Sequence, residues 1–143
     1  MAKAQPTTNS GDKLPPQNLQ AESSLLGSLM LDKDAIIKVA DVVHGDDFYA
    51  TKNRLIYEAI VSLYEKREPL DVVTLSNKLD AMGELENVGG ATYLTSLVNG
   101  VPSAAHVANY GKIVAQKATL RRLITAASQI GNMAYDEEQP LDG

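Results

Sequence analysis

The chain has 143 residues, 44% of them apolar and 22% charged, with a formal net charge of -5, no Cys, no Trp and two His. That composition fits one soluble globular domain with appendages, and the missing cysteines exclude disulfides, thiolate nucleophiles and sulfur-ligated metals, which suits the cytoplasm. No apolar run approaches the roughly 20 residues of a bilayer span, and the polar start MAKAQPTTNSGDKLPP has no signal-peptide core, so no membrane role is expected.

Residues 1–16 lack an apolar period and end in Pro15-Pro16, so they read as a disordered arm. Asn18 can cap a first helix with Leu19, Leu25, Leu26, Leu29 and Met30 at spacings of three and four, and Glu22 is placed to complement its first turn. Gly27 in the middle of that run points to close helix packing. Asp32 or Asp34 can cap a second helix with Ile36, Ile37, Val39, Ala40 and Val43 inward, stopped by His44-Gly45. A loop or short turn over 46–51 holds Phe48 and Tyr49, and a third helix follows with Leu55, Ile56, Ala59, Ile60, Leu63 and Tyr64 inward, closed by Pro69.

Asp71 precedes a fourth helix through Val72, Val73, Leu75, Leu79 and Met82, ending at Gly83. The β-branched Val72-Val73-Thr74 has no second strand to pair with, and a lone strand cannot satisfy its backbone. Gly89-Gly90 opens a short fifth helix, Ala91 to Val98, and Asn99-Gly100 closes it. From Ala104 to about Tyr135 helical spacing continues without proline, a rod of roughly 45 to 50 Å. Ile113, Leu120, Ala127 and Ala134 are seven apart, with Leu123 and Ile130 between them, which makes a coiled-coil seam of about three heptads. A compact head cannot bury such a seam, so its distal half requires another helix. The expected architecture is all-α: an arm over 1–16, a multi-helix head over 17–100, a long helix over 101–135 that is the first arm of a hairpin, and a turn with a truncated tail over 136–143.

Charge is unevenly spread: residues 1–19 carry +1, 20–101 carry -6, 103–135 carry +4 and 136–143 carry -4. Lys112, Lys117, Arg121 and Arg122 are too few for a nucleic-acid groove and read as a solvated face or a docking patch for an acidic partner. Neither phosphate-cradling glycine pattern occurs, so no cofactor is expected in this stretch. Ser28 after Gly27 reads as a packing contact, and the pairs Asp32 with Asp34 and Asp46 with Asp47 read as helix caps. His44 is placed to meet terminal carbonyls and neither it nor His106 has a carboxylate partner in sight, so proton transfer is not expected. The six tyrosines default to core or interface packing. A binding or assembly module is what these residues support, against two competing readings: a helical DNA-binding regulator using the basic helix, and a small enzyme using His44, Asp46 and Asp47.

The run from Leu14-Pro15-Pro16 through Ala21-Glu22 and Leu25-Leu26-Gly27 to Leu29-Met30-Leu31 resembles the opening of bacterial replicative DNA helicases of the DnaB type. Four further blocks agree in order: Asp46-Asp47-Phe48-Tyr49, Glu68-Pro69-Leu70-Asp71, Val88-Gly89-Gly90-Ala91-Thr92-Tyr93, and Val101-Pro102-Ser103-Ala104-Ala105 leading to Leu120-Arg121-Arg122-Leu123. The family's second hairpin helix, linker and ATPase domain, which handles ATP and Mg, are not in this sequence. The resemblance implies a collar domain, a trimer of dimers above a hexameric motor, that docks the primase C-terminal domain and a helicase loader, with weak or no DNA binding of its own. Carried onto this sequence, the primase-contact candidates are Tyr93, Arg121, Ile124 and Ile130, and the seam candidates for hairpin or oligomer packing are Ile113, Leu120, Leu123, Ala127 and Ile130.

Overall fold

The computed structural model describes residues 13–137, so most of the expected arm and most of the tail lie outside the described residues. Within them the fold is all-helical. Five α-helices, α1 (Leu19–Leu31), α2 (Thr51–Glu65), α3 (Val72–Ala81), α4 (Gly90–Asn99) and α5 (Val107–Tyr135), are joined by two 3-10 helices over Lys33–Lys38 and Gly45–Asp47.

The core is built around α1. Asn18 caps it, its Oδ1 accepting the Ala21 N–H at 2.9 Å. Leu25, Leu26 and Leu29 are fully buried, and Ala21, Glu22, Gly27, Ser28 and Met30 are buried with them. A short helix enclosed on nearly every side must have neighbours all round, and α2, α4 and α5 supply them. Gly27 is the closest approach: a Cβ there would collide with the Leu97 carbonyl oxygen of α4 and sit 3.2 Å from Val101 Cγ2. The hydroxyl of Ser28, wholly buried, donates to the Ser24 carbonyl at 2.8 Å, so it closes a backbone contact and is no nucleophile.

Three local readings are corrected. The stretch after Asp32 is 3-10 at Lys33–Lys38, and three residues per turn stack Ile36 and Val39 in one row and Ile37 and Ala40 in the next. The first pair is buried; Ile37 is 64% exposed, and Ala40 is exposed too. Leu19, Tyr64, Val73 and Met82, expected inward, lie at the surface: Leu19, Tyr64 and Met82 stand at the ends of their helices, and Val73 falls on the face of α3 opposite the buried Leu75 and Leu79. The long helix begins at Val107, later than 101, after turns over 102–106. At 29 residues it spans about 43 Å. Its first turns belong to the head: Val107, Gly111, Val114 and Ala118 are buried, with Gly111 resting against Val39 and Val43. Of the two residues offered as a cap, Asp32 takes the role, accepting from Asp34 N–H at 3.0 Å, and Asp71, expected only to precede its helix, caps it by accepting the Thr74 N–H at 2.8 Å.

Candidate interaction surfaces

Two corners of the head and one face of α5 carry the polar and apolar groups that a partner could meet. At the first corner the buried carboxylate of Glu22 leaves its own helix and reaches the start of α2. It accepts N–H bonds from Tyr49 at 2.6 Å and Ala50 at 3.3 Å, and from Asn53 Nδ2 at 3.0 Å. Asn53 Oδ1 in turn accepts the Tyr93 hydroxyl at 2.7 Å. Burial and the charge of Glu22 hold the Tyr93 hydroxyl above its ordinary pKa, opposed by the bond to Asn53. Gly89, at φ 106, sets the turn that delivers Tyr93; a Cβ there would press within 2.8 Å of Tyr93 Cβ, so glycine meets both the backbone and the packing demand. The Lys52 ammonium lies over the Tyr93 ring, 4.0 Å from its centroid.

The second corner clamps α5. Asp47 is buried, with one oxygen accepting the His44 backbone N–H at 2.9 Å and the other accepting both amino nitrogens of Arg122, at 2.5 and 3.2 Å. Arg121 donates to the Pro16 carbonyl at 2.8 Å and the Asp47 carbonyl at 2.7 Å, and its guanidinium lies 5.5 Å from the Tyr49 ring centroid. Asp47 is therefore an ion-pair anchor as well as a cap. His44 opens the Gly45–Asp47 turn and does not close a helix, and a carboxylate is near after all: its Nδ1 is 3.8 Å from Asp47 Oδ2. Asp46 and His44 line different hollows, which removes the geometry an enzyme built on them requires.

Beyond Arg121 the rod is exposed apart from the half-buried Gly131. Leu123 is 60% exposed, Ile124 53% and Ile130 67%. Residues nine apart on an α-helix face opposite ways, at about 100° per residue. Gly111, Val114 and Ala118 dock on the head, and Leu120, Leu123 and Ala127 follow them by nine. The expected seam thus runs along the side of α5 turned away from the head. Ile113 at its proximal end is half-buried against the core.

Of the four primase-contact candidates, Tyr93 is hydrogen-bonded through Asn53 and Glu22 to the Tyr49 backbone, and Arg121 lies over the ring of that same Tyr49, whereas Ile124 and Ile130 stand apart on the rod. Sequence reasoning missed Glu22, Asn53 and Asp47 as buried polar centres. A signal existed, because Glu22 falls at apolar spacing with Leu25, Leu26 and Leu29, as Asn53 does with Ile56, Tyr57 and Ile60; a polar residue on each of two buried faces is the mark of a pair. Among the described residues no group of three or more metal-ligating side chains is assembled, and no helix is long and apolar enough to cross a membrane.

A family described as "DnaB-like helicase N terminal domain" matches residues 14–116. The replicative DNA helicase DnaB of Leifsonia xyli subsp. xyli is 47% identical over 129 residues, covering 90% of this chain and 28% of the relative. The replicative DNA helicase DnaC of Bacillus subtilis is 41% identical over 131 residues, 92% of this chain and 29% of that protein. The chain thus spans less than a third of the length of these relatives. Among solved structures, the N-terminal domain of DnaB helicase from Mycobacterium tuberculosis superposes with a TM-score of 0.82 at 44% identity, covering 85% of this chain and 88% of that one. The N-terminal domain of the Helicobacter pylori DnaB helicase, described with its interactions with primase, has the same fold at 21% identity and a TM-score of 0.68, covering 81% of this chain and 90% of that one. With a match over most of its length and a shared helical architecture, the chain belongs to the DnaB-like helicase N-terminal domain family.

Proposed function

We propose that this domain is the collar module of a replicative DNA helicase in the cytoplasm, mediating subunit assembly and docking of primase, with ATP and Mg handled by a motor domain of the longer protein. The observation that carries the reading is the apolar stripe Leu120, Leu123, Ala127 and Ile130 on the side of α5 away from the head. An isolated rod with such a face gains by burying it against another helix, at roughly 25 cal/mol per Å² of apolar surface removed from water. A second arm of matching length would bury it within a hairpin and present the hairpin to other subunits. Primase docking rests on the relative described with primase and on Tyr93, Ile124 and Ile130; Arg121, carried over with them, is engaged by the Pro16 and Asp47 carbonyls. The reading as a DNA-binding regulator loses half its basic residues over 103–135, because Arg121 and Arg122 are held by Pro16 and Asp47.

Sedimentation tests this. The chain is compared with one lengthened through its parent sequence by about 40 residues, a turn plus a helix that matches α5. The lengthened chain is expected to assemble into dimers or larger species and the shorter one to sediment as a smaller species, with no ATP turnover by either. Equal sedimentation of the two as monomers would overturn the assembly reading.

A further inference from the structure

Beside Tyr93 lies a groove of about 380 Å³ between the starts of α1 and α2 and the flank of α4, lined among others by Leu19, Ser23, Lys52, Tyr93 and Leu97. Its volume is at the low end of ligand clefts, room for a few side chains of a partner rather than a cofactor. The lining contains no carboxylate, although residues 20–101 carry a net -6. Its charge is the exposed ammonium of Lys52, held over the Tyr93 ring. Behind the lining, the Glu22 carboxylate is buried and turned onto three N–H donors. The Tyr93 hydroxyl is likewise committed, donating to Asn53, so what it offers a partner is ring surface. Leu19, half exposed, supplies an apolar rim. Ala50, ahead of α2, gives no side-chain cap, and the Glu22 carboxylate on the Tyr49 and Ala50 N–H groups offsets the positive end of that helix, which leaves Lys52 as the cation of the groove.

We propose that this groove receives an acidic side chain flanked by apolar ones, carried by the primase C-terminal domain, with Lys52 as the cation that meets it. The proposal rests on the primase-docking reading and deepens it: Lys52, which sequence reasoning passed over, becomes the residue that sets the charge preference, and Tyr93 a platform whose hydroxyl makes no partner contact. Charge at the rim of an interface acts mainly through association rate and salt dependence.

The test titrates the primase C-terminal domain into the full-length parent helicase and its variants at low and high salt. Lys52→Glu is expected to weaken binding about tenfold at low salt, with the difference shrinking as the Debye length falls towards about 3 Å in 1 M salt. Lys52→Met, which keeps the apolar stem, should give a smaller loss, and Tyr93→Phe, with the ring retained, should bind within about threefold of wild type. Lys52 is exposed, so both of its variants should melt as wild type does, which separates binding from folding. Wild-type affinity for Lys52→Glu at low salt would overturn the groove assignment and leave the docking reading standing. Absence of binding by the wild-type helicase would overturn both.

Discussion

Glu22 brings a carboxylate into a head otherwise packed with leucine and isoleucine, and it is tolerated because three N–H groups converge on it. Removing it strands donors on Tyr49, Ala50 and Asn53. Glu22→Ala is therefore expected to destabilise the domain by on the order of 3 kcal/mol, a loss to be read from chemical denaturation. Tyr57 is the second residue with a measurable signature. Its hydroxyl donates to the Val43 carbonyl at 2.8 Å, its ring packs on Phe48, and burial, reinforced by the charge of Asp47, pushes its pKa from 10.0 up to about 12. A raised folded-state value means that its contribution to stability is complete below pH 10 and is lost as pH rises from about 10 to 12. The loss is on the order of 2–3 kcal/mol. Alkaline unfolding followed by circular dichroism should show that slope, and Tyr57→Phe should flatten it. A residual slope is expected from Tyr93, whose pKa is raised in the same direction.

At the scale of elements, α1 meets α4 so closely that the added methyl of Gly27→Ala has nowhere to go except into the Leu97 carbonyl. A backbone atom cannot swing aside as a side chain can, so the two helices must part. The expected cost is about 2–3 kcal/mol, visible as a lowered melting temperature. Gly27 was legible because a glycine inside an apolar helical run has few other uses, and the caps Asn18 and Asp32 were legible because capping is local chemistry. The 3-10 character of Lys33–Lys38 was not, since Ile36, Ile37, Val39 and Ala40 satisfy a helical period on paper and only the tighter turn sends Ile37 and Ala40 outward. Nor was the clamp on α5: Arg121 and Arg122 lie more than 70 residues from Asp47, and no local pattern announces a bond of that range.

At the scale of the whole molecule, a net charge of -5 combines an acidic head, a basic helix, an acidic tail and a slightly basic start, and head and helix meet at Asp47, where Arg121 and Arg122 fix α5 before it leaves the head. Beyond that point the helix is exposed, with its apolar stripe facing away from the head. A stripe that serves assembly can be changed without harm to the head. Leu123→Asp combined with Ile130→Asp should leave the melting of this chain within about 0.5 kcal/mol of wild type, because both residues are exposed. The most direct measurement is sedimentation equilibrium of the longer protein, with the second helical arm, carrying this pair of substitutions. If the far side of α5 is the assembly face, the wild type forms dimers or larger species and the double variant does not, while its head stays folded. Assembly of the double variant at wild-type affinity would contradict the account.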